Sequence, residues 1–105
     1  MQEFYQGEDI FLRITDNATD NSVDLSGSIH IKVYVHNSIS EAMRNDGITI
    51  SRIDGTNEYK VHISNTITAT LSPNIYDIEI LIESGGIKYK EGIKQAFVLY
   101  KTAFQ

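Results

Sequence analysis

Apolar and polar residues alternate along most of this chain with a period of two. Ile10, Leu12 and Ile14 share one face of residues 9–15. In residues 28–36, Ile29, Ile31, Val33 and Val35 oppose His30, Lys32, Tyr34 and His36. Tyr59, Val61 and Ile63 alternate with Lys60 and His62, and Tyr76, Ile78, Ile80 and Ile82 with Asp77, Glu79, Leu81 and Glu83. In residues 95–102, Ala96, Val98 and Tyr100 read as one face against Phe97, Leu99 and Lys101. Side chains of a strand point alternately to its two faces, so this rhythm predicts half-buried antiparallel strands. Their Ile, Val, Tyr and Thr suit a pleated surface.

Turn signals fall between these runs. Asp54-Gly55-Thr56-Asn57 separates the Ile48, Ile50, Ile53 run from the strand opening at Glu58 and predicts a hairpin. Ser84-Gly85-Gly86, ahead of Ile87 and Tyr89, predicts a second. Residues 17–22 read as a polar loop and 24–27 as a turn. Ser38 and Glu41 stand at capping-box spacing, so residues 38–45 are a single helical turn or a loop joining two strands. Residues 65–71 predict a short helical turn capped by Asn65 or Thr66.

Short strands at intervals of roughly ten residues imply a two-sheet β-sandwich with Greek-key-like connections. A small closed barrel is the alternative. Leu71, Pro73 and Tyr76 then form a structural corner. Pro73 presets φ for the turn, Asn74 tolerates a left-handed conformation, and Tyr76 opens a late strand whose hydroxyl bonds back to upstream backbone.

Composition narrows the picture. With 105 residues the chain is one domain, 1–105, able to bury one modest core without a staple. Its 41% apolar and 22% charged residues are those of an ordinary globular protein. Net charge is −5, and the nine Lys and Arg are scattered, which argues against a nucleic-acid partner. There is no cysteine, which excludes disulfides, zinc thiolates and thiol nucleophiles. No apolar run is long enough to span a membrane as a helix, and MQEFYQGEDI does not read as a signal peptide.

Candidate chemistry is sparse. His30, His36 and His62 lie on the polar phase of their strands and read as solvent-facing, not as part of a metal site. Asp16, Asp20, Asp24, Asp46 and Asp54 sit in loops without calcium-loop spacing, so no cofactor or metal is expected. Asp77 and Glu79, two apart on one strand, read as a solvated face. No nucleophile elbow and no phosphate-cradling glycine loop is present, and the chain is read as non-enzymatic. Attention passes to apolar residues on the polar phase. Phe11, Tyr34, Phe97 and Leu99, with Tyr100 and Phe104 near the C-terminus, are the candidate interface. The Phe4/Tyr5 and Tyr100–Phe104 ends either complete edge strands or add to that surface.

The order of features resembles a known family. Asp24–Gly27 enters the second long strand as a D-L-S-G turn. Thr66–Pro73 is a short Thr/Ala segment ending in Leu-x-Pro, Tyr76–Ile82 a Tyr-led strand, and Gly92–Leu99 a glycine-led final strand. In these, along nearly its whole length, the chain is similar to the immunoglobulin-like β-sandwich domains of bacteriophage tail, baseplate and neck proteins. The resemblance implies an all-β, immunoglobulin-like sandwich of about seven antiparallel strands with at most short helical turns. It also implies a structural or assembly protein of the virion, made in the bacterial cytoplasm. Its partners are then other virion proteins or further copies of itself, and deletion of residues 100–105 weakens assembly more than folding. The alternative is an immunoglobulin-like ligand- or protein-binding module, cytoplasmic or on a bacterial or phage surface. Its binding loops would be 17–22, 38–47 and 84–86; these carry no aromatic residue, which argues against sugar binding there.

Overall fold

The computed structural model describes residues 1–15, 28–38, 47–52 and 58–104. Among these residues the fold is mostly β: seven strands in two packed sheets, with one short helical turn. The strands are β1 (Gln2–Tyr5), β2 (Ile10–Thr15), β3 (Ser28–Val35), β4 (Ile48–Arg52), β5 (Glu58–Ile63), β6 (Asn74–Ser84) and β7 (Ile87–Tyr100); α1 is Asn65–Thr68. One sheet runs β1-β7-β6-β3 and the other β2-β5-β4. Every pairing is antiparallel except β1 with β7, which is parallel. The N-terminal tail thus completes an edge.

The inward phase of each strand supplies the core. Ile10, Leu12 and Ile14 of β2 and Tyr59, Val61 and Ile63 of β5 pack against Ile31 and Val33 of β3 and Tyr76, Ile78, Ile80 and Ile82 of β6. The last strand contributes Phe97 and Leu99, the phase opposite to the one its sequence suggested. Burying such side chains is worth roughly 1.5–3 kcal/mol each, the main favourable term in folding.

Two turns show how local sequence sets geometry. Ser84 pairs with Ile87, so the β6–β7 loop is Gly85-Gly86, with φ of 57° and 82°. A two-residue hairpin with both φ positive matches strand twist, and glycine pays no Cβ penalty there. The β4–β5 strands pair as the predicted hairpin requires, from Ile48↔Ile63 to Arg52↔Tyr59. Its turn, residues 53–57, lies outside the described residues, as do the 17–22 loop, the 24–27 turn and all of the 38–45 segment except Ser38.

At the corner, the Tyr76 hydroxyl donates to the Ser72 carbonyl at 2.6 Å from a fully buried ring stacked on Phe97. Leu71 is buried and its carbonyl accepts from Gln6 Nε2 at 2.8 Å, tying the corner to the β1–β2 turn. Pro73 is exposed. Asn74 is not left-handed: it starts β6, and its side-chain oxygen accepts the Ile75 N–H at 2.9 Å. Among the described non-glycine residues, the left-handed positions are Asn37 and Gln95. The helical turn also differs from expectation. Its N-cap is Ser64, and the cap comes from another element: Asp9 accepts the Asn65 N–H at 3.0 Å.

Candidate functional site

The six candidate interface residues divide into two groups. Phe11, Tyr100 and Phe104 are exposed, at 65%, 40% and 88%. Tyr34, Phe97 and Leu99 are buried and form no surface. Phe97 and Leu99 point into the core because Tyr76 pairs with Phe97 and Asn74 with Leu99 across the β6–β7 ladder. Tyr34 does lie on the outer face of its sheet, yet it is covered there. Lys94 Nζ, from a bulge of β7, sits 5.6 Å from its ring centroid.

That bulge is held by Asp77. One β6 residue, Asp77, stands between Tyr76↔Phe97 and Ile78↔Ile93, where β7 has Lys94, Gln95 and Ala96. Gln95 takes φ of 52° and turns its N–H onto Asp77 Oδ1 at 2.7 Å. His36 Nδ1–H reaches both carboxylate oxygens at 2.8 and 3.0 Å, and Lys94 Nζ lies 3.5 Å away. Asp77 is therefore not part of a solvated face: its side chain is fully buried. Burial pushes its carboxyl pKa up, but hydrogen bonds from the Gln95 backbone, His36 and the Asn37 backbone, with the attraction of His36, bring the net value below the ordinary one. Such a cluster reads as a structural staple, since each polar group has a partner within the protein.

His62 is also engaged. Its Nε2–H donates to Asp9 Oδ1 at 3.0 Å, and its ring stacks on Phe11 at 4.5 Å and 6°. Asp9 is held below the ordinary carboxylate value by the hydrogen bonds of His62 and Asn65. His30 is exposed. Among the described residues no three metal-ligating side chains converge.

Two surfaces stand out from this framework. The first is the outer face of β2-β5-β4. Phe11 pairs with His62, which pairs in turn with Thr49, and the next row holds Arg13, Lys60 and Ser51. These six line an open groove of about 370 Å³. Arg13 and Lys60 are direct cross-strand neighbours of like charge, an arrangement that costs a few tenths of a kcal/mol, up to about 1. Two carboxylates border this face: Glu58, opposite Thr15 and one row from the Arg13–Lys60 pair, and Asp9, beside His62 just before β2.

The second surface is the terminal edge. On β1 and β7 the outward residues are Glu3, Tyr5, Val98 and Tyr100. The Tyr5 and Tyr100 rings sit 5.8 Å apart, and Tyr100 Oη donates to Glu3 Oε1 at 3.1 Å. The Glu3 charge beside that hydroxyl holds the Tyr100 pKa above its ordinary value. Around the corner, Tyr5, Glu8, Thr102 and Phe104 border a cleft of about 570 Å³. Tyr5 is 56% exposed. Sequence alone pointed to Phe11, Tyr100 and Phe104, but not to the cations beside Phe11 or to the pairing of Tyr5 with Tyr100. Those follow from register between strands far apart in the chain. No protein-family model matches this chain, and no characterised protein does.

Proposed function

We propose that this chain is a non-enzymatic structural or assembly protein of a phage particle, an immunoglobulin-like sandwich that acts by packing against other subunits of a tail, baseplate, neck or decoration layer. The observation that carries the reading is the exposed aromatic edge, where Tyr5, Tyr100 and Phe104 crowd one end of a small protein whose remaining large apolar side chains are mostly inside. Aromatic residues gathered on an otherwise polar surface suit a protein partner. The immunoglobulin-like part is supported by strand order. β2-β5-β4 against β3-β6-β7 follows the B-E-D and C-F-G sheets of that fold, with β1 added beside the last strand. Tyr76, near the start of β6, occupies the place of its tyrosine corner.

The test is mass spectrometry of density-purified particles from the source culture. Recovery of this chain in fixed ratio to other virion proteins supports the proposal; its absence from clean particles overturns it. Deleting residues 100–105 is a blunt companion, because Tyr100 ends β7 and its carbonyl accepts the Gln6 N–H at 2.9 Å. Phe104→Ser is sharper: it leaves the ladder intact and should reduce incorporation without lowering the melting temperature.

A further inference from the structure

We propose that the chain binds a second copy of itself head to tail, the terminal edge of one copy seated on the outer face of β2-β5-β4 of the next. This rests on the assembly reading and names the partner and the contact.

The two surfaces match in chemistry and in spacing. Glu3 and Tyr5 are two apart on β1 and share its outer face. Phe11 and Arg13 are two apart on β2 and share that strand's outer face. Both pairs therefore span about 6.5–7 Å along a strand. Laid together, Tyr5 meets the Phe11–His62 stack while Glu3 meets Arg13 and Lys60. A carboxylate there adds to Glu58, one row away on the same face, in offsetting the like charges of Arg13 and Lys60. On a protein of net charge −5, two adjacent cations beside an exposed aromatic ring form a local attraction for an acidic, aromatic edge.

Both surfaces are held in place before they meet. Tyr100 fixes Glu3 by a hydrogen bond and flanks Tyr5 with its ring. Asp9 fixes His62, which in turn stacks on Phe11. These aromatic and acidic groups have less side-chain freedom to lose on association, while Arg13 and Lys60 are ordered by the contact itself. The charges disfavour laying either surface directly on its own counterpart: Arg13 and Lys60 repel their own kind, and so does Glu3.

The geometry makes the contact heterologous. β1 lies in one sheet and β2 in the other, so the outer faces concerned look to opposite sides of the sandwich. One molecule cannot satisfy itself, and each copy keeps one free surface of each kind. Repetition of such a contact gives a ring or a filament, not a closed two-fold dimer.

The test is sedimentation of the purified 105-residue chain over rising concentration, at low and at high salt. The expected mass increases with concentration at low salt and falls back at high salt, where exposed charges are screened. Arg13→Glu with Lys60→Glu, and separately Glu3→Ser with Tyr5→Ser, each give monomers. An equimolar mixture of these two double variants gives a discrete dimer that grows no further, because each supplies the surface the other lacks. The milder Glu3→Gln keeps side-chain shape, Arg13→Gln removes the charge with a shorter polar side chain, and each weakens association at least about tenfold. Circular dichroism reports that each variant keeps its β signal. A wild-type chain that stays monomeric overturns the proposal. So does either double variant associating as the wild type does, or a mixture that stays monomeric. Each of these leaves the recovery of the chain in particles, the test of the assembly reading, to be decided separately.

Discussion

Replacing Asp77 by Asn should destabilise the protein severely while changing its shape very little. The carboxylate is fully buried and accepts from the Gln95 N–H at 2.7 Å, from His36 at 2.8 Å and from the Asn37 backbone. An amide keeps one accepting oxygen and turns an NH₂ toward a former donor, so about two of these contacts become unsatisfied. Hydrogen bonds to a charged group are worth about 1.5–3 kcal/mol, and a buried donor left without a partner costs about 1–3 kcal/mol. The Lys94 ammonium at 3.5 Å is mostly in water and adds little. The expected loss is about 2–4 kcal/mol. In a domain of this size that lowers the melting temperature by about 10–20 °C, read by far-UV circular dichroism. The pH dependence has a definite sign. The folded pKa lies below the ordinary value of 3.8, so the stabilisation is fully present above that value and is lost as pH falls through the folded pKa. The gap between wild type and Asp77→Asn must therefore narrow on acidification below 3.8. A loss within the roughly 0.5 kcal/mol typical of surface substitutions, or a gap that does not change with acid, would refute the claim that this carboxylate holds the bulge.

Other expectations follow from the same geometry. Tyr76→Phe removes the bond to Ser72 and should cost about 1 kcal/mol in thermal or urea unfolding, with the ring stack on Phe97 retained. Thr68→Val should cost about 1–3 kcal/mol, because the buried hydroxyl both accepts the Gly7 N–H at 3.1 Å and donates to the Glu8 carbonyl at 2.8 Å. Gln95 stands at φ of 52°, so Gln95→Val should lower stability by about 1–2 kcal/mol while Gln95→Gly is neutral or slightly stabilising; equal effects of the two would remove backbone strain as the reason.

Much of the fold was legible because its signals are local. Ile10, Leu12 and Ile14, or Ile29 to Val35, show their period without reference to any other strand, and Gly85-Gly86 marks its hairpin alone. At the corner, the Tyr76 hydroxyl does bond back to Ser72, but Asn74, read as left-handed, opens β6 in extended form. What stayed hidden depends on partners far away in sequence. Asp77 looks like any outward strand acid until Gln95 arrives with its N–H and His36 with its ring. Asp9 looks like a loop acid until α1 presents Asn65. The cationic pair of the candidate face exists only because β2 and β5 align Arg13 with Lys60.

The phase of β7 lies between these cases. In residues 95–102 alone, Ala96, Val98 and Tyr100 are as apolar as Phe97 and Leu99, so a short window cannot tell inside from outside. The glycine turn starts the strand in register at Ser84↔Ile87, and that register still holds at Ile78↔Ile93. Beyond it Tyr76 meets Phe97 instead of Gln95, because β7 has taken up two extra residues. An insertion of one would have turned Phe97 and Leu99 outward. An insertion of two preserves the alternation, so Ile93, Phe97 and Leu99 keep to one face across the bulge; in sequence Ile87 and Tyr89 stand at the same odd positions, interrupted only by Glu91 and Gln95. The cue was therefore present over the whole strand, though not in its last eight residues. The bulge also explains why the opposite face misled. It brings Lys94 Nζ to 5.6 Å from the Tyr34 ring and the Gln95 N–H onto Asp77, and both Tyr34 and Asp77, which alternate as surface, are buried. The exposed aromatic residues that remain, Phe11 on one sheet and Tyr5 and Tyr100 on the other, have no such cover. That difference separates the candidate contact surfaces from residues that only imitate them in sequence.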